Sequence, residues 1–320
     1  MRCLMTALLA GAIALSANHA SAEDRSMNIA VFTKNTTNPA YSAFRLAADQ
    51  VGQATGARIL HLVPQQPDNV EEQKAMVEQV LKDRPDAVVF IPVDDVAMID
   101  SVKKLNQAKI PIVLAANPLP GDFVTFVGAD DFKIGYSQAK YLFDKLAGKG
   151  RIIILEGTAG APTNRERLRG YKQALGETPG IELVASGVGN YQQADAKRVM
   201  AGFLQTYPEI DAVLSANDSM ALGALEALRE ANRTATVIGI NGTLPAVKKI
   251  ESGEMLATVD FNMFKIGCTA TMAAVRHLKH EPVPEKLLLP AEIINQSNYK
   301  AWLVPVEQRP CPTWDEVVRP

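Results

Sequence analysis

At 320 residues, with 47% hydrophobic and 21% charged content, the chain is long enough for two ordinary cores and has the composition of a folded globular protein. Its 33 Lys and Arg against 35 Asp and Glu give a formal charge of −2. Such near-neutrality argues against a nucleic-acid binder, which needs a basic surface to displace counterions.

The N-terminus reads as an export signal. Met1-Arg2 supplies a positive start, residues 4–15 an apolar run, and Ala20-Ser21-Ala22 a small-x-small cleavage pattern, which predicts a signal peptide over 1–22 cut after Ala22. Cys3 precedes the apolar run and is therefore not expected to be a lipoprotein anchor. The mature chain keeps Cys268 and Cys311. An oxidising compartment permits a bridge between them, but Cys268 lies in an apolar helical run over 266–275, where an unpaired cysteine packs as a small hydrophobe. The expectation is thus two free thiols.

From residue 27 the chain states one pattern twice. An apolar strand over 27–32 passes through a polar loop, 34–38, into a helix from about Tyr41 and a strand over 58–63. A helix over 73–84 then ends at Pro85. The strand opening at Asp86-Ala87-Val88-Val89-Phe90 leads through a helix to another over 110–117. The second copy begins with the strand 150–155 and runs through the loop 156–164 into a helix from about Arg165 and a strand over 181–185. Its next helix, 194–207, ends at Pro208. Asp211-Ala212-Val213-Leu214-Ser215 then leads through a helix to the strand 235–241. Short apolar runs alternating with amphipathic segments predict parallel strands buried between helices. The fold class expected is α/β, with two similar doubly wound parallel-sheet lobes. In such sheets ligands bind beyond the carboxyl ends of the strands, so two facing edges make a cleft. A strand over 255–262, a helix over 263–278 and a strand over 286–294 remain, which suggests that the chain recrosses between lobes to form a three-segment hinge.

Four motifs carry a family resemblance: Asn38-Pro39-Ala40-Tyr41, Ala159-Gly160 with Arg165-Glu166-Arg167, Asn217-Asp218-Ser219-Met220-Ala221, and Ile238-Gly239-Ile240-Asn241-Gly242-Thr243. In this order and spacing the chain resembles the ribose-binding type of periplasmic solute-binding protein, which serves ATP-driven sugar importers and shares its fold with the effector domains of lac repressor-like regulators. A signal peptide stands where a repressor would carry its helix-turn-helix. The resemblance implies a first lobe of 27–129 plus 263–292, a second of 130–262 plus 293–300, and a tail, 301–320, beyond the family's usual end. The tail is expected to strap its tryptophans onto a lobe surface.

The resemblance also implies a ligand set. Asn38, Tyr41 and Asn117 belong to one side of the cleft; Arg165, Tyr191, Asn217 and Asn241 belong to the other. Asn262 lies on a crossover and is assigned to the ligand or to the hinge, while Asp218 is expected to cap the helix after Asn217. Planar amides and guanidinium suit vicinal hydroxyls, and aromatic faces suit C–H surface. The chain departs from a ribose site in having Ala40 in place of an aromatic, Ala116-Asn117 in place of Asp-Arg, and Asn241 in place of Asp. Lys34 adds a cation in the first ligand-facing loop, with Glu156 and Asp260 as the carboxylates expected nearby. Two ligand classes follow: a neutral sugar or polyol with Lys34 paired to a protein carboxylate, which the fold analogy favours, or an acidic ligand that balances the cations itself. The implied partner is the permease of an ABC importer in the inner membrane, with a membrane receptor as the alternative, and the protein is expected to act as a periplasmic monomer. Of the histidines after the leader, His61, His277 and His280, none belongs to a catalytic or metal motif, and no nucleophile elbow, P-loop or CxxC is present. Neither an enzyme nor a cofactor or metal site is expected.

Overall fold

The computed structural model describes residues 26–318, so the leader and its cleavage site lie outside the described residues. In chain order the elements are β1 (Asn28–Phe32), α1 (Pro39–Thr55), β2 (Arg58–Leu62), α2 (Val70–Asp83), β3 (Ala87–Phe90), α3 (Ile99–Gln107), β4 (Ile112–Ala115) and β5 (Thr125–Gly128). Then follow α4 (Asp131–Lys145), β6 (Gly150–Glu156), α5 (Pro162–Gly176), β7 (Ile181–Val188), α6 (Gln193–Thr206), β8 (Ala212–Ser215), α7 (Asp218–Glu230), β9 (Thr236–Ile240), α8 (Leu244–Glu251) and β10 (Ala257–Asp260). The chain ends with α9 (Met263–Leu278), β11 (Lys286–Leu288), β12 (Glu292–Asn295), two short 3-10 turns (Tyr299–Trp302 and Val306–Gln308) and α10 (Trp314–Val318).

The strands form two six-stranded sheets of matching order, β2-β1-β3-β4-β5-β11 and β7-β6-β8-β9-β10-β12. Every pairing is parallel except β10 with β12. Period-two alternation explains why the central strands read as continuous apolar runs. In β1, Ile29 and Val31 face the core under α1 and α9, while Ala30 and Phe32 face the core under α2 and α3. The second sheet is covered in the same way, by α4 and α5 on one face and by α6, α7 and α8 on the other.

The chain passes between sheets three times: from β5 to α4, from β10 to α9, and from β11 to β12. The last passage corrects the single strand expected over 286–294. Pro290 has no N–H to donate to a ladder, and the run divides there into β11 on one sheet and β12 on the other.

The cysteines also differ from expectation. Cys268 and Cys311 form a disulfide with their Cα atoms 5.6 Å apart. Cys268 is fully buried among the apolar residues of α9, as its helix predicts, but the tail folds back onto that helix and supplies the partner. Closing a loop with a sequence separation of 43 stabilises the fold by about 4 kcal/mol on the chain-entropy account.

Candidate functional site

The strand order reverses between β1 and β3 and between β6 and β8, so both sheets open crevices at their carboxyl ends. The two crevices face each other. Between them lies a cavity lined by Asn38, Ala40, Tyr41, Ala116 and Asn117 from the first lobe and Thr163, Arg167, Tyr191, Asn217 and Asn241 from the second. Phe261 and Met263, at the second crossing, complete it. Its volume is about 30 Å³, room for roughly two waters. The lobes are therefore closely apposed around it.

Closure is held at the rim by polar contacts between lobes. Thr37 Oγ1 donates to Gln192 Oε1 at 2.8 Å, and Thr158 Oγ1 donates to Asp68 Oδ2 at 3.3 Å. The guanidinium of Arg165 pairs with both carboxylate oxygens of Asp95. It stands 49% exposed there, at the mouth and outside the cavity.

Arg167, two residues on, is the cationic group on the cavity wall. Helix α5 buries Thr163, Arg167, Gly170, Tyr171 and Ala174, a 3.6-residue stripe that puts Arg167 inward and Arg165 on the opposite side. Two glycines permit this: a Cβ on Gly135 would lie 2.4 Å from Arg167 O, and one on Gly170 would lie 2.4 Å from Phe132 O. At that close approach of α4 and α5, Arg167 Nε donates to Asp131 Oδ1 at 2.8 Å, and Nη1 donates to Ala216 O at 2.7 Å. The guanidinium also lies 4.9 Å from the Phe261 ring centroid. Burial pushes the Asp131 carboxyl up to about 6, with Arg167 pulling in the opposite direction, so near neutral pH the pair is ionised and balanced.

Lys34 is compensated in the same way in the first lobe. Its Nζ lies 3.5 Å from Asp68 Oδ2, and Asn35 Nδ2 donates to Asp68 Oδ1 at 2.8 Å. The ammonium is fully buried and sits 5.8 Å from the Tyr191 ring of the opposite lobe. The carboxylates that balance the two cations are thus Asp68 and Asp131. The expected pair is engaged elsewhere, Glu156 with Ser186 and Asp260 with Trp302.

The aromatic walls are Tyr41 and Tyr191. Burial raises both hydroxyls, Tyr41 well above the ordinary range and Tyr191 to about 12, so both remain protonated donors. Tyr191 packs where a Cβ on Gly157 would come within 2.1 Å of its ring, and its hydroxyl pairs with Thr163 Oγ1 at 3.0 Å. The turn Gly157-Thr158-Ala159-Gly160 is therefore a seat for this ring.

The asparagines divide by local geometry. Asn38 caps α1, its Oδ1 accepting from Ala40 N at 3.0 Å. Asn117 Nδ2 donates to Pro92 O at 2.9 Å. Asn217, and not Asp218, is the cap of α7: its Oδ1 accepts from Met220 N at 2.9 Å, and its Nδ2 donates to Tyr191 O at 3.1 Å. The Asp218 carboxylate turns away, accepting from Thr243 N, Thr243 Oγ1 and Thr258 Oγ1. Asn241 lines the cavity with its backbone at φ 134. Asn262 does not reach this cavity; it caps α9 from a left-handed conformation, φ 52, at the second crossing.

Residues 29–282 match the periplasmic binding protein domain. The chain belongs to that family. It is 29% identical over 282 residues to the ribose import binding protein of Salmonella typhimurium, an alignment covering 88% of this chain and 94% of that protein. A D-allose-bound solute-binding protein from Actinobacillus succinogenes superposes with a TM-score of 0.82 at 27% identity, covering 86% of this chain and 100% of the other. A myo-inositol-bound solute-binding protein from Bacillus halodurans gives 0.81, also at 27% identity, over 88% and 99%. The chain is accordingly a solute-binding protein and not an enzyme.

Six of the nine expected residues line this binding protein's cavity, Asn38, Tyr41, Asn117, Tyr191, Asn217 and Asn241, while Lys34 stands off the wall, its ammonium paired with Asp68 and 5.8 Å from the Tyr191 ring. Arg165 is replaced there by Arg167, and Asn262 stands at the crossing. The position of Arg167 could have been found from the buried stripe of α5, since Tyr171 and Ala174 share its face. Thr163 carried no such signal, because its role depends on the Tyr191 hydroxyl from another loop.

Proposed function

We propose that this protein captures a small, neutral sugar or polyol between its lobes in the periplasm and delivers it to the permease of an ABC importer. The observation that carries the reading is charge balance: each cation at the cleft has its own protein carboxylate, Arg167 with Asp131 and Lys34 with Asp68. An acidic ligand would meet no uncompensated positive charge and would lose its hydration on burial. The names of relatives and neighbours, which mention ribose, D-allose and myo-inositol, support the same class. Tyr41 and Tyr191 offer rings for C–H surface, while Asn38, Asn117, Asn217, Asn241 and Arg167 offer hydrogen bonds to hydroxyls.

The lobes, 27–129 with 263–292 and 130–262 with 293–300 as expected except that Glu292 pairs with Asp260 of the second sheet, act as bodies that part and close about the three crossings. A ligand touching both favours closure through contacts available only in that state. Export with cleavage after Ala22 brings the monomer to the permease. A thermal-shift panel of pentoses, hexoses, tetritols, inositols and sugar acids tests the proposal. Stabilisation by at least one neutral member is expected; stabilisation by sugar acids alone would overturn it.

A further inference from the structure

We infer that the C-terminal tail is a fourth span between the lobes, anchored at both ends, which limits how far the cleft opens. After β12 the chain lies in the second lobe, where Tyr299, Trp302 and Leu303 pack against that lobe's core. Trp302 Nε1 donates to Asp260 Oδ2 at 3.0 Å, and Asp260 also accepts from Asn262 N at 2.6 Å. The tail is thereby tied to the second crossing itself. The chain then returns to the first lobe. Cys311 is bonded to Cys268 on α9, Trp314, Val317 and Val318 pack against the first lobe's core, and Arg276 lies 4.8 Å over the Trp314 ring.

Between Trp302 and Cys311 the span is gathered up by Arg309. Its Nη2 donates to Trp302 O at 2.8 Å and its Nε to Val304 O at 3.0 Å, folding a segment that could reach about 30 Å if extended. Beneath the span is a cavity of about 350 Å³, walled by Ser42 and Leu46 of α1, Leu244 and Pro245 of α8, and Val306 and Arg309 of the tail. Both lobes contribute to that space, so rotation about the crossings changes it directly. The family match ends at residue 282, before the tail begins.

Apparent affinity scales with the fraction of molecules in the closed, binding-competent form. A tether that removes the widest conformers raises that fraction and slows release. The disulfide makes the tether permanent in an oxidising compartment. A two-electron reduction by an added dithiol would yield the Cys268 and Cys311 thiols and the reagent's disulfide, and release the far end.

The inference rests on the reading of lobe closure, but its test needs no ligand. Solution X-ray scattering compares the oxidised ligand-free protein with Cys311→Ser, with Arg309→Ala, which keeps the bridge, and with dithiothreitol-reduced protein. The wild type should approach the roughly 19 Å radius of gyration of a compact chain this long. We expect Cys311→Ser and reduced protein to exceed it by about 5% or more, Arg309→Ala by less, with unchanged far-ultraviolet circular dichroism. Should Cys311→Ser not fold, the reduced protein and Arg309→Ala decide. Equal radii across the folded forms would overturn the tether.

Discussion

The two lobes have the same strand order and helices on both sheet faces, yet they present different chemistry to the cleft. The first places its cation, Lys34, behind the wall, where it pairs with Asp68, a carboxylate that Asn35 in turn holds. The second brings its cation to the wall itself, because Gly135 and Gly170 let α4 and α5 approach until Arg167 meets Asp131. Repetition of the fold thus fixes where the cleft lies, while the loops and helix starts decide which groups line it. In both lobes the positive charge is balanced before any ligand arrives, which makes the second lobe a source of directed donors and the first a mainly amide and aromatic surface.

Removing the guanidinium should break this asymmetry most severely. Arg167→Ala leaves Asp131 buried without its partner, a loss of about 3–5 kcal/mol of stability, visible in urea unfolding. It should also weaken the best ligand of the thermal-shift panel at least a hundredfold, about 2.7 kcal/mol, by calorimetric titration. The next effect is one of pH. The Asp131 carboxyl sits at about 6 in the fold against about 3.9 unfolded, so its contribution to stability is fully present below about pH 4 and is lost as pH rises through about 6. The stability difference between wild type and Asp131→Asn should therefore shrink by about 2 kcal/mol from pH 4 to pH 7. Taking the difference cancels Asp218, which burial also pushes up to about 6.

Asn217→Ala should cost about tenfold in ligand affinity, or 1.4 kcal/mol, and about 1 kcal/mol of stability through its cap of α7. The smallest effect belongs to the other arginine. Arg165 and Asp95 form a half-exposed rim pair, and such pairs contribute at most about 1 kcal/mol, so Arg165→Ala should change affinity by less than about fivefold. A larger loss for Arg165→Ala than for Arg167→Ala would reverse the assignment of the two arginines.

The paired lobes were legible in the sequence because their signal is local. Apolar runs such as Val88–Phe90 and Val213–Leu214, bounded by turn residues and repeated in order, report strands buried on both faces. The cleft asparagines Asn117 and Asn217, which follow β4 and β8 closely, were reached through the family resemblance that those strand ends anchor. The rest depended on contacts between distant segments. Which arginine of Arg165-Glu166-Arg167 turns inward depends on the face of α5 that α4 covers, and Asp131 gains its role only through that packing. Asp68 lies in a turn distant in sequence from the loop that carries Lys34. Likewise Cys268 read as a core residue, which it is, but nothing local to α9 announced that Cys311 would return to it.

Charge balance at the cleft meets its most direct test in calorimetric titration at pH 7.5 of the best neutral sugar or polyol from the panel and its carboxylate counterpart of equal carbon number. We predict that the neutral compound binds at least a hundredfold more tightly, with affinity that changes little between low and moderate salt. Tighter binding of the carboxylate, weakening as salt is raised, would contradict the account.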